Sequence, residues 1–111
     1  MIYKVQLAEQ AKRDLRGIYE YFAFTRLEPR LGSKIKQRIV EKLKSLSEMP
    51  GRYPVYQEEP WKSMELRQVF AGSYCAFYLI TENRVQVTRI MYGSMDLNSV
   101  LSETAFGRSI T

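Results

Sequence analysis

The chain has 111 residues, which fits one domain (residues 1–111) with a single core. Apolar residues make up 45% and charged residues 26%, an ordinary globular balance, and no apolar run approaches the roughly 20 residues a membrane helix needs. The net charge of +5 and the sequence pI near 9.4 point towards an acidic partner: nucleic acid, an acidic protein segment, or both.

Residues 2–7, IYKVQL, alternate: Ile2, Lys4 and Gln6 against Tyr3, Val5 and Leu7. That is a strand period, and this strand is expected to join a sheet. Ala8, Ala11, Leu15, Ile18 and Phe22 then recur at steps of three and four, which predicts a helix over about 8–24. Glu9 falls in its first turn, where the helix dipole favours an anion. Pro29 suits the start of a second helix, whose apolar stripe is Leu31, Ile35, Ile39, Leu43 and Leu46. Met49–Pro50–Gly51 ends it, so the two helices read as an antiparallel hairpin.

From residue 63 the period returns to two. Residues 64–70, 74–80 and 84–92 are three strand candidates, with 71–73 and 81–83 as hairpin turns. The middle run is apolar on both faces and belongs in the centre of the sheet. Gly93 ends the last strand, and Ser94 or Asp96 caps a short helix carrying Leu97, Val100 and Leu101. The expected fold is α+β, β-α-α-β-β-β(-α), with the helical hairpin packed on one face of an antiparallel sheet. The tail, residues 106–111, is expected to be disordered. The first residues lack the layout of a secretory signal, and the lone cysteine, Cys75, cannot form an internal disulfide. A reducing cytoplasm is the expected location.

The chain contains no histidine. That removes the commonest general base near neutral pH and weakens any Ser-His-Asp, Cys-His or catalytic zinc scheme. Cys75 sits mid-strand among Ala76, Phe77 and Tyr78, where a buried inert thiol is expected rather than a nucleophile. The glycines are scattered as turn residues, with no phosphate-binding loop. No metal site and no cofactor are expected.

Basic residues are what remains. Arg30, Lys34, Arg38 and Lys42 are spaced by four and form a stripe beside the apolar face of the second helix. They make either a docking surface for an acidic partner or an ordinary solvated face. Arg67 and Arg89 each lie inside a strand, where a charge must reach solvent or a partner. They could line a phosphate-binding concavity on the open face of the sheet, or brace carboxylates such as Glu65 or Asp96. Tyr53, Tyr56 and Trp61 cluster in the loop after the second helix, where packing onto the sheet edge competes with base stacking. Tyr74, Tyr78 and Tyr92 are expected in the core or half-buried in the sheet.

Nearly the full length resembles the ParE/RelE superfamily of bacterial type II toxins. VQLAEQAKRDLRGIYEYF matches its opening strand and helix through Ala11, Asp14, Leu15, Ile18 and Tyr21. LRQVFAGSYCAFYLI matches its arginine-bearing strand through Arg67 and the next strand through Tyr74, Phe77 and Tyr78. VQVTRIMYGSMDLNSVL matches the last strand and its exit through Arg89, Gly93, Asp96 and Leu101. The resemblance implies a small toxin held inactive by a cognate antitoxin encoded beside it. RelE-like members cut messenger RNA in the ribosomal A site, whereas ParE-like members inhibit DNA gyrase.

RelE-like cleavage uses basic side chains, and often a tyrosine, to activate the 2′-hydroxyl and hold phosphate charge. Here the second-strand positions before the arginine read Ser63 and Glu65, the third-strand position reads Cys75, and Ser94 and Met95 follow Gly93. The place of a C-terminal tyrosine falls near Leu101. A glutamate facing a scissile phosphate would repel it, and each missing donor removes about 3–4 kcal/mol of transition-state stabilisation. The expectation is therefore a ParE-like toxin that acts by binding, with DNA gyrase as target and no catalytic residues. Its antitoxin would present an acidic, partly disordered segment to Arg30, Lys34, Arg38, Lys42, Arg67 and Arg89. The alternatives are a ribosome-dependent mRNA endonuclease using Arg67, Arg89 and Tyr92, and a degenerate module that only binds antitoxin. No membrane partner is expected.

Overall fold

Alternating, then helical, then alternating hydrophobicity produces the elements in that order. The computed structural model describes residues 2–104; the expected tail at 106–111 lies outside them. The elements are β1 (Lys4–Leu7), α1 (Glu9–Glu20), α2 (Pro29–Lys44), β2 (Arg67–Ala71), β3 (Tyr74–Thr81), β4 (Arg84–Tyr92) and α3 (Leu97–Ser102). The sheet order is β1-β4-β3-β2. The β2–β3–β4 meander is antiparallel, and β1 adds to β4 in parallel.

The first helix is regular for less of its length than its apolar spacing suggests. Tyr21–Thr25 form a wide π-type turn, in which the Arg26 N–H donates to the Tyr21 carbonyl at 2.9 Å. The extra residue advances the phase. Ala23 becomes buried, Phe22 is half-buried, and Phe24 turns outward. Leu27 then adopts φ +56°, and the Glu28 N–H returns across it to the Phe22 carbonyl at 2.7 Å. This closes the helix as a left-handed cap does.

Pro29 opens α2 as expected. Its packing against α1 passes through Gly32, where an added Cβ would stand 3.1 Å from Phe22 Cβ and 3.2 Å from the Tyr19 carbonyl oxygen. The inward position there is Gly32, so Leu31, expected in the apolar stripe, is left 38% exposed. Ile39, Leu43 and Leu46 are buried as the stripe predicts.

The second strand begins later than its period indicates. Residues 63–65 lie in a turn, with Glu65 at φ +59°, so Ser63 and Glu65 are not strand positions. The loop ahead of them lies along the outer edge of β2: Val55 bridges Arg67, and the Gln68 N–H donates to the Pro54 carbonyl at 3.1 Å. This packing of the loop onto the sheet edge is what the aromatic cluster suggested.

The sheet is covered on both faces, which corrects the expectation of an open one. Against α1 and α2 lie Val69, Ala76, Tyr78, Val85, Val87 and Ile90. On the other side, Cys75, Phe77 and Met91 are covered by Trp61, Leu66 and Leu101, with Tyr56, Leu97 and Val100 packed around them. The long loop and α3 therefore form a third layer. They fill the face on which a phosphate-binding concavity was one reading of the strand arginines. No helix in the described residues is long and apolar enough to cross a membrane.

Candidate partner-binding surfaces

Arg89 lies where β4 continues past the end of β1. Pairing with β1 stops at Leu7–Val87, so beyond it one edge of β4 has no strand beside it. Asp14 from α1 occupies that edge. Its carboxylate accepts from Arg89 Nε at 2.7 Å and Nη2 at 3.0 Å, and from the Ile90 backbone N–H at 2.9 Å. Arg89 Nη1 donates to the Thr104 hydroxyl at 3.0 Å, and that hydroxyl donates to the Val100 carbonyl at 2.8 Å. One guanidinium thus ties α1, β4 and the end of α3 together. Its carboxylate is Asp14, not Glu65 or Asp96. The sequence carried a signal for it: Asp14 sits three residues after Ala11 and four before Ile18, on the apolar side of α1.

Arg67 is engaged differently. Its Nη1 donates to the carbonyls of Gly51 at 3.1 Å and Tyr53 at 2.6 Å. Beside it the buried Tyr78 hydroxyl donates to the Pro50 carbonyl at 2.6 Å. Burial pushes the Tyr78 phenol up to about 12, against a lowering by Arg67. Together these two side chains satisfy the carbonyls of the turn that ends the helical hairpin.

The strand residues of the alternative nuclease set do not converge. Arg67 on β2 and Arg89 on β4 are separated by β3, a spacing of roughly 10 Å between backbones. Each guanidinium already has protein acceptors. Tyr92 is 46% exposed, more than expected, and meets Tyr74 edge-on with ring centroids 5.5 Å apart. Cys75 is buried, and burial raises its thiol pKa, so little reactive thiolate forms. Asp96 caps α3: the Ser99 hydroxyl donates to it at 2.7 Å and the Ser99 N–H at 3.4 Å. Those bonds hold its carboxyl below the usual range. Ser94, the other cap candidate, is not used.

Arg30, Lys34 and Arg38 are exposed and Lys42 is half-buried, and none is in an ion pair with a described residue. At four-residue spacing the row turns slowly around α2 as it descends. Arg38 borders a cleft of about 220 Å³ between α2 and the β2–β3 turn, with Leu31, Ile35 and Tyr74 as its apolar wall. At the start of α2, Arg30 and Lys34 border a notch of about 520 Å³ with Leu27, Pro29 and Leu31. An apolar track flanked by unpaired cations suits an acidic amphipathic segment. Exposed apolar residues gather at the same end of the hairpin: Phe24 at 70% and Leu27 at 77%. Periodicity assigned neither to a surface.

A helical hairpin on a four-stranded, mostly antiparallel sheet is a fold shared with solved structures. The chain is similar to a chain of the chromosomal ParDE TA system from P. aeruginosa, at TM-score 0.68 and 21% identity, over 82% of this chain and 96% of that one. It is similar to a chain of the RelBE2 toxin–antitoxin complex of Mycobacterium tuberculosis, at TM-score 0.59 and 22% identity, over 83% and 99%. It is also similar to a free-state mutant of the E. coli toxin RelE, at TM-score 0.59 and 19% identity, over 93% and 94%. Comparison with curated proteins gives no match. The family described as ParE toxin of type II toxin-antitoxin system, parDE, matches residues 5–97. The chain belongs to that family and is a toxin of a type II toxin–antitoxin system.

Proposed function

We propose that this toxin acts in the cytoplasm by occupying DNA gyrase rather than by cutting RNA, and that a cognate antitoxin neutralises it. The observation that supports binding over cleavage is the engagement of the strand arginines. Arg89 is held by Asp14 and Thr104, and Arg67 by the carbonyls of Gly51 and Tyr53. A cation that stabilises a phosphorane must face the phosphate, and these face their own fold. Ser63, Glu65, Cys75, Ser94 and Met95 supply no replacement.

Arg30, Lys34, Arg38 and Lys42 are the proposed antitoxin contacts, with the cleft at Leu31, Ile35 and Tyr74 taking the segment's apolar side. Arg67 and Arg89 shape the scaffold behind them. The test compares inhibition of supercoiling by purified DNA gyrase with cleavage of ribosome-bound message. Supercoiling inhibition without cleavage is the expected result. Cleavage with gyrase unaffected would reverse the assignment.

A further inference from the structure

The free end of the helical hairpin combines three features. The first is apolar exposure: Phe24 and Leu27 are 70% and 77% exposed, although burial of such side chains is the rule. The second is backbone conformation. Leu27 holds φ +56°, a region that a bulky L-residue adopts at a cost and that glycine adopts freely. A helix end of this kind favours glycine, so chain closure alone does not account for a leucine. The third is charge. From residue 21 to 38 there are five cations, Arg26, Arg30, Lys34, Lys36 and Arg38, against one anion, Glu28. Glu28 pairs with Arg26 at 3.4 Å, which leaves Arg30 and Lys34 beside the notch free of ion pairs with described residues.

A disordered segment lays its own side chains into clefts, as at Leu31, Ile35 and Tyr74. A protruding side chain on a braced hairpin instead needs a pocket already formed in a folded partner. Gly32 braces this hairpin, bringing α2 against Tyr19 and Phe22. We infer that the hairpin end is the target-engaging surface: Phe24 and Leu27 enter an apolar pocket of a folded, acidic target protein whose carboxylates meet Arg30 and Lys34. This rests on the reading that the toxin works by occupying a protein; Arg30 and Lys34 serve both partners, whereas Phe24 and Leu27, which do not line the cleft at Ile35 and Tyr74, are specific to the target.

Leu27→Gly tests it, because glycine accepts the same backbone conformation without the side chain. The expected melting temperature is within about 5 °C of wild type or above it, since relief of the left-handed conformation offsets the added freedom of the unfolded chain. Supercoiling inhibition is expected to weaken by about tenfold or more, with affinity for the antitoxin encoded beside the toxin changed less than about twofold. Phe24→Ser should act the same way. Unchanged inhibition would overturn the inference, as would a parallel loss of antitoxin affinity, which would make the hairpin end part of the antitoxin seat. If wild type does not inhibit gyrase, the choice of target fails, and growth arrest on expression reads the hairpin end instead. Arrest by wild type but not by Leu27→Gly supports it; arrest by both, or by neither, overturns it.

Discussion

Asp14 and Arg89, 75 residues apart in sequence, form a two-pronged ion pair that joins the first helix to the last strand. The same carboxylate takes the Ile90 N–H, a donor that β1 is too short to reach. The pair therefore replaces a missing strand contact as well as balancing a charge. In a toxin of this fold that is a structural use of an arginine whose strand position alone suggested phosphate chemistry.

Asp14→Asn should destabilise the protein by about 2–3 kcal/mol, measured by urea unfolding. Removing one partner of a fully buried pair costs about 3–5 kcal/mol, and solvent reaches 16% and 19% of these two side chains, which lowers the figure. Arg89→Lys should recover only part of wild-type stability, because one ammonium cannot make both prongs and still reach Thr104. A loss below about 0.5 kcal/mol for Asp14→Asn would show that water replaces the pair without penalty.

Tyr78 predicts an alkaline limit to stability. Its phenol pKa is raised from 10.0 to about 12 in the folded protein, so above pH 10 the unfolded chain releases a proton that the folded one retains. Its contribution is complete below pH 10 and declines as pH rises through 12. Burial of Tyr74 and Tyr56 raises their phenols too and adds to the same slope. Tyr78→Phe should lose about 1–2 kcal/mol at pH 7, where the Pro50 carbonyl is left without its donor. Its stability should then fall less steeply than wild type between pH 10 and 12. Parallel pH profiles would refute the assignment.

Gly32→Ala should cost stability although alanine is the better helix former. The propensity gain is about 1 kcal/mol. Against it, the new methyl stands 3.1–3.2 Å from Phe22 Cβ and the Tyr19 carbonyl oxygen, and neither is the end of a flexible side chain. Overpacking of this kind costs about 1–3 kcal/mol, so thermal unfolding should show a net loss. A raised melting temperature would mean that the helices separate freely.

Charge reversal along α2 should read out on antitoxin binding rather than on folding. Lys34→Glu and Arg38→Glu change exposed side chains, so stability should stay within about 0.5 kcal/mol. Antitoxin affinity should fall, and the remaining binding should depend less on salt than wild type, measured by titration calorimetry between low and high ionic strength. Unaltered affinity would exclude the stripe as the contact surface.

The sequence by itself determined the order of elements, the hairpin, the meander with β3 at its centre, the family, and the buried state of Cys75. The family follows from the resemblance of its motifs; the rest follows from apolar period and local turn chemistry, which act over a few residues and are written along the chain. The same local pattern misplaced the start of β2. An edge loop and a turn at Glu65 take over residues that alternate like a strand, and strand period carries no record of what lies beside it. Only the tertiary structure decided what the arginines do. Arg67 and Arg89 have the same local setting, a cation within a strand. One meets carbonyls from the turn after α2, and the other a carboxylate from α1. A charged group's role is set by the acceptor that folding brings within about 3 Å, and sequence spacing says nothing about a partner 75 positions away. The covered second face and the outward Leu27 have the same origin: both depend on how layers meet.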